Sequence, residues 1–375
     1  MKKILFVATV QSHIINFHLP YIELLQKKGY EVHVATKLDS IKYKDIYEKL
    51  ENIKWINIDF TRSPISKDIF ISYKQIKQYI KENKFELIHV NTPIASFITR
   101  LACRKTKNTS IIYTAHGFHF FKGSSIKNWL IYYTLEKIAA RWTDAIITMN
   151  DEDYNLAKNK FESNKCSIYK INGIGVETKK YSTEYIEKKD YEKYSLKPTD
   201  FVVTIIGEIN KNKNQKQIID AIYELIPKYL NIKLLIVGEG DMSQEISLYI
   251  KQKGISSNIK MLGFRKDIPE ILNISDIIVS CSYREGLPKN LIEAMMAKKA
   301  LVCTDIRGNR DLIKNGENGI LVEINNIEET KDAIETLYKN KELLDSMGSK
   351  SKKMSDKYSL SKVKKQMEEI YLNYL

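Results

Sequence analysis

Residues 276–296 read DIIVSCSYREGLPKNLIEAMM. Ile277 to Ser280 form a short apolar, β-branched run, the pattern of a parallel strand buried on both faces. Gly286 lets the chain turn, and Pro288 suits the first position of the helix that follows. Such a helix points its free N–H groups and its positive dipole end at whatever sits above the strand, which is a place for a phosphate. Glu285 precedes the helix and Glu293 lies within it, so both carboxylates reach one ligand from different sides. Carboxylates accept from hydroxyls while amides hold an anion, an arrangement that suits a nucleotide-sugar.

Working outward, the same strand-then-helix unit recurs along the whole chain. Strands are read at Lys3-ILFVATV, Tyr30-EVHVAT, Trp55-INIDF, Leu87-IHVNT, Ser110-IIYTAHG, Ala145-IITMN and Ser167-IYKINGIG. Helices are read between them at 19–28, 71–82, 92–104, 125–141 and 151–158. Residues 178–200 are polar, lack apolar alternation and carry Pro198, so they read as an interdomain connection with some helix. The pattern then restarts at Phe201-VVTIIGE, Lys233-LLIVGEG, Ile259-KMLGF, the opening stretch, Ala300-LVCTDI and Gly319-ILVEI. Alternation of this kind predicts doubly wound parallel sheets. The fold class is α/β, two Rossmann-like αβα domains in tandem, with residues 1–178 as the first and 179–360 as the second.

Composition agrees. At 375 residues the chain is too long for one ordinary core, and 43% hydrophobic with 28% charged residues describes a globular protein. No segment is long and apolar enough to cross a membrane, and the start, MKKILFVATV, reads as a first buried strand rather than a leader. Cys103, Cys166, Cys281 and Cys303 show no metal spacing and read as buried thiols, pointing to the cytoplasm. The net charge of +14 is uneven: residues 1–180 hold 29 Lys and Arg against 17 Asp and Glu, the remainder 31 against 29. A basic first half suits a polyanionic partner, whether nucleic acid, an anionic membrane or a lipid diphosphate; solubility alone is the plainer explanation.

Two further loops follow strands, where open α/β sheets bind ligands. After Phe201-VVTII comes Gly207-Glu208-Ile209-Asn210-Lys211-Asn212-Lys213, with lysines placed for a phosphate. After Ser110-IIYT comes Ala115-His116-Gly117-Phe118-His119. No Asp-x-Asp metal motif is read, and a lysine with a helix end supplies positive charge, so no metal and no cofactor are expected.

The opening stretch, with its Glu-x7-Glu spacing, closely resembles the matching element of the family 4 glycosyltransferases, retaining enzymes of GT-B fold, and their polysaccharide- and capsule-assembly subgroup in particular. The resemblance covers nearly the whole chain and is strongest over 110–150 and 201–322. It implies a cleft between the domains, and a last helix, 361–375, that crosses back to the first domain with Val363, Met367, Ile370 and Tyr371 inward. It implies transfer of a hexose or N-acetylhexosamine from a UDP-sugar to a glycan acceptor, probed at catalytic His116, Glu285 and Lys213. Donor-binding residues are Glu293 on the ribose, Gly286, Leu287 and Pro288 on the diphosphate, Asn290, and the backbone at Phe264 and Arg265 on the base. Where relatives carry a Gly-Gly pair after the first strand this chain has Gln11-Ser12-His13, so side chains line that loop, and His13 and His18 become acceptor candidates. Glu208 replaces a common arginine, which leaves one cation missing for Lys211 or another basic group to supply. Asn172-Gly-Ile-Gly-Val-Glu177 resembles the family's hinge. The acceptor expected is a polyprenyl-diphosphate-linked saccharide on the cytoplasmic face of the membrane; Trp129, Tyr132, Tyr133, Lys137, Arg141 and Trp142 read either as a membrane contact or as an aromatic stripe packed into the core. Two other readings stand beside this one. One is a UDP-N-acetylglucosamine 2-epimerase of the same fold; the other is a polyanion-binding protein, although no nucleic-acid module is recognised.

Overall fold

Short runs of Val, Ile and Leu make the central strands, which are buried on both faces, while the strands at the sheet edges keep partly or fully exposed positions. The computed structural model describes residues 1–39, 50, 52–61, 63, 66–181 and 190–375, so residues 182–189 of the expected connection lie outside the described residues. Two units result, Met1–Ile174 with Lys362–Leu375, and Gly175–Ser361.

In the first unit the strands are β1 (Lys3–Val10), β2 (Glu31–Lys37), β3 (Ile53–Asn57), β4 (Leu87–Asn91), β5 (Ser110–Thr114), β6 (Ala145–Thr148) and β7 (Ser167–Lys170). They form one parallel sheet in the order β3-β2-β1-β4-β5-β6-β7. Leu5, Val7, Ile88, Val90 and Ile111 enter a core beneath the helices Asp68–Glu82 and Pro93–Cys103. Phe6 and His89 face the other way, and there Tyr371 of the terminal helix Leu360–Leu372 gives His89 Nδ1 a hydroxyl partner at 2.9 Å. Val363, Met367, Ile370 and Tyr371 are the buried residues of that helix, spaced as one apolar stripe. Beneath the sheet, Arg100 is fully buried and its Nη2 donates to both Glu136 carboxylate oxygens at 2.9 and 2.8 Å.

The second unit holds β8 (Phe201–Ile206), β9 (Ile232–Val237), β10 (Ile259–Gly263), β11 (Ile277–Ser280), β12 (Ala300–Thr304) and β13 (Gly319–Val322). These are parallel too, in the order β10-β9-β8-β11-β12-β13. The period of two is explicit: Val203, Ile205, Ile277 and Val279 enter one core, Val202, Ile206 and Ile278 the other.

Three local expectations change. The loop expected after β1 is a helix, Gln11–Phe17: it holds no Gly or Pro, and Gln11 and Ile14, three apart, are its buried face. The helix expected over 125–141 is not uniform; Ile126–Asn128 runs into a wide, π-type turn at Trp129–Tyr133, then Thr134–Ala139. The wide turn puts Trp129 and Tyr133 each 5.6 Å from the Phe120 ring. Pro288 precedes its helix, Lys289–Met296, rather than opening it, with φ −72° and ψ 115°.

Candidate functional site

The strand order explains where chemistry gathers in the second unit. From β8 the chain moves outward through β9 and β10, then returns to place β11 on the other side of β8. The loops after β8 and β11 therefore open side by side at the carboxyl edge, the switch point at which open sheets bind ligands.

Hydrogen bonds lock those two loops together. The Asn210 side chain accepts from the Lys213 N–H at 3.1 Å and closes a tight turn over Lys211–Lys213. Asn212 Nδ2 donates to the Arg284 carbonyl at 3.0 Å, and the Tyr283 N–H donates to the Asn212 carbonyl at 2.8 Å. The result is a contact that neither segment shows by itself: Lys213 Nζ lies 2.5 Å from Glu285 Oε1, both side chains being only 20% and 13% exposed. Lys211, by contrast, is exposed.

A third loop, after β12, supports Glu285 from behind. Arg307, buried, donates Nε to the Glu285 carbonyl at 3.2 Å. Gly308 sits at φ +79°, and a Cβ there would stand 2.4 Å from the Gly286 carbonyl oxygen, so only glycine permits this approach. Leu287 is half-buried and Pro288 buried beside it. Asn290 donates Nδ2 to the Ile206 carbonyl at 2.6 Å, which ties the start of the helix to the end of β8.

Glu293 is the polar member of an otherwise apolar buried face formed by Leu291, Ile292, Ala294, Met295 and Met296. It accepts from the Tyr181 hydroxyl at 2.8 Å and lies 3.5 Å from Lys289. Burial raises its pKa, while the Lys289 charge and the Tyr181 hydrogen bond pull the other way. Phe264 is 68% exposed, and its N–H donates to Glu239 Oε1 at 3.2 Å. The Arg265 guanidinium is taken by Asp267, at 2.8 and 2.5 Å, so Arg265 offers its backbone rather than its charge.

In the first unit His13, His18 and His116 come together. The helix after β1 carries His13, His18 caps it, and His116 follows β5. The His13 and His116 rings are 4.4 Å apart at 84°, and His18 is 5.3 Å from each. Burial lowers the pKa of all three, that of His13 to about 4, so they are neutral near pH 7. His119 stands apart against Tyr132, ring centroids 4.6 Å apart. The sequence does contain one Asp-x-Asp spacing, Asp151-Glu152-Asp153, contrary to the expectation of none. It forms the first turn of a helix and is occupied there: Asp153 accepts from Phe118 N and Asn150 Nδ2, Glu152 from Lys122 N, and Asp151 pairs with Lys170.

Two family models match, glycosyl transferase 4-like over residues 3–150 and glycosyl transferases group 1 over residues 187–354. EpsD of Bacillus subtilis (strain 168), which carries a glycosyltransferase name, is 36% identical over 378 residues, covering 100% of this chain and 97% of its own. The chain belongs to the family 4 glycosyltransferases. This glycosyltransferase is also 29% identical, over 262 residues, to the Escherichia coli UDP-Gal:α-D-GlcNAc-diphosphoundecaprenol α-1,3-galactosyltransferase, covering 68% of this chain and 67% of that one. The fold of Anabaena HepE, solved with UDP and glucose, superposes with a TM-score of 0.81 at 19% identity, covering 100% of both chains. The fold is thus the two-domain GT-B arrangement.

Of the residues that surround Glu285 and Glu293, sequence reading passed over Tyr181, Arg307 and Asn212. Asn210 is a favoured helix-capping residue and marks the tight turn. Tyr181 and Arg307 carry no such signal, because each acts through a contact far away along the chain.

Proposed function

We propose that this glycosyltransferase moves a hexose or N-acetylhexosamine from a UDP-sugar to a polyprenyl-diphosphate-linked glycan, with retention, in the assembly of a bacterial surface polysaccharide. The observation that carries the reading is the Lys213–Glu285 pair at the β8–β11 switch point, with buried Glu293 on the adjoining helix.

Glu293 accepts from the ribose hydroxyls and Glu285 from those of the sugar. Lys213 and the backbone N–H groups of Gly286 and Leu287, on the turn that Pro288 shapes, take the diphosphate charge as it grows on the leaving group. The backbone at Phe264 and Arg265 meets the uracil, and Asn290 holds the helix start that borders the diphosphate. His116 contacts the donor sugar, while His13 and His18 belong to the acceptor side. In the step itself the bond from the sugar C1 to the β-phosphate oxygen breaks. The acceptor oxygen bonds C1 from the same face, and its proton passes to the departing phosphate. Lysine and helix end supply the positive charge, so the reaction proceeds without a metal.

The E. coli relative's name joins a UDP-sugar to a diphosphoundecaprenol acceptor, and the solved relative holds UDP. Among the described residues no helix is long and apolar enough to cross a membrane. A lipid-linked acceptor therefore calls for docking at the cytoplasmic face. Ile126 (79% exposed) and Leu130 (68%), flanked by exposed Lys122, Lys127 and Lys137, are a suitable apolar and basic surface.

The test is a panel of UDP-glucose, UDP-galactose and their N-acetylamino forms, with UDP release followed with and without extracted polyprenyl-linked glycans. Release that requires one donor and the lipid together supports the proposal. Epimerised sugar without any acceptor would favour the epimerase instead.

A further inference from the structure

Four histidines crowd the carboxyl edge of the first sheet, and they divide by how their nitrogens are satisfied. His89 is complete: Nδ1 faces the Tyr371 hydroxyl at 2.9 Å and Nε2 the Thr114 hydroxyl at 2.7 Å. The other three are not. His13 Nε2, His18 Nδ1 and Nε2, and His116 Nε2 are buried and have no hydrogen-bond partner among the described residues. Buried polar atoms in folded proteins are paired as a rule, so a cluster of lone nitrogens marks a partner from outside the chain.

The geometry narrows that partner. One ring nitrogen from each of His13, His18 and His116 lies within 4.8 Å of the others. Nitrogens bound to one tetrahedral dication at ~2.0–2.1 Å stand roughly 3.3 Å apart, so the three would draw together by at most about 1.5 Å to share one ion. The three come from two segments, the helix after β1 and the loop after β5, so a single ion would clasp them. Neutral imidazole donors select zinc, copper and nickel over magnesium, calcium and manganese, which prefer oxygen. Three histidines with a fourth position open match a zinc site accessible to water or an anion.

We propose that His13, His18 and His116 bind a transition-metal dication of the zinc class, and that filling this site switches the glycosyltransferase off. The second half rests on the function proposed above: an ion held by His116 occupies the imidazole that the donor sugar needs. The metal is an inhibitor here and takes no part in transfer.

The test begins without any sugar. Metal-stripped protein is titrated with Zn2+ by calorimetry, with Mg2+ as the control, and with Co2+ for its visible absorption. One Zn2+ per chain is expected, no Mg2+ at this site, and an intense tetrahedral Co2+ spectrum. His13→Ala and His116→Ala, checked for folding by circular dichroism, each weaken Zn2+ binding by more than about tenfold. Absence of stoichiometric Zn2+ binding, or binding unchanged in both variants, overturns the site. In the second arm Zn2+ abolishes UDP release and a chelator restores it; full turnover with the site loaded overturns the switch. A protein that transfers no sugar at all leaves the first arm intact, so the two proposals fail separately.

Discussion

Lys213 and Glu285 pair at 2.5 Å, so on the proposed reading an arriving diphosphate would compete with Glu285 for the same ammonium. Lys213→Ala should lower kcat/KM for the UDP-sugar by about 100- to 1000-fold, the usual loss of a group facing charge that develops at the transition state. Steady-state UDP release measures it, and a kcat equal to wild type would place Lys213 outside the chemistry. Glu293 makes a subtler case. Its carboxyl pKa is raised by burial, and the Tyr181 hydroxyl partly offsets that rise by donating to the carboxylate. On the proposed reading the ionised carboxylate accepts from the ribose hydroxyls with both oxygens and more strongly than the acid does, so donor affinity should fall on the acid side as Glu293 takes a proton. Tyr181→Phe removes a bond that favours the charged form; the acid limb of kcat/KM should therefore move to higher pH, with KM for the donor raised and kcat little changed. An unmoved limb would make Tyr181 a packing residue. Both glutamates were legible from the sequence because strand, glycine turn and helix fix their setting. Their partners were not: Lys213 is 72 residues from Glu285, Tyr181 is 112 from Glu293, and only the fold sets those distances.

At the scale of elements, three loops after β8, β11 and β12 interlock through backbone. Gly308 is the tightest point, where a Cβ would come 2.4 Å from the Gly286 oxygen at a φ of +79°. Gly308→Ala should displace the Glu285 loop and weaken UDP binding by calorimetry, while Gly316→Ala, also at positive φ but with open space around it, leaves UDP binding unchanged. Equal effects would mean backbone strain alone matters. Strands were legible almost throughout, because runs such as Phe201-VVTII and Ile277-IVS have no other stable place than a covered parallel sheet. The helix Gln11–Phe17 was missed since, at two turns, its periodicity is too brief to read. The wide turn at Trp129–Tyr133 was hidden for another reason: it depends on Phe120, whose ring lies outside the helix.

For the whole molecule, the charge of +14 and its bias to the first 180 residues bear on where the glycosyltransferase works. With Ile126 and Leu130 exposed among lysines, it should sediment with vesicles containing anionic lipid, release in high salt, and ignore neutral vesicles. Ile126→Glu with Leu130→Glu should abolish sedimentation; retention would move the contact elsewhere. The sequence left the acceptor and the sugar open because a few hydroxyl contacts decide them, and those depend on side chains brought together from distant segments. On the function proposed, Glu285, on the loop after β11, holds the sugar of a UDP donor during transfer. The most direct measurement of this is UDP release by wild type and Glu285→Ala, each with the UDP-sugar panel and polyprenyl-linked glycan. Release that needs one donor and the lipid in wild type, and falls to background in Glu285→Ala, is the expected result. Equal release by both proteins, or none with any donor, would contradict it.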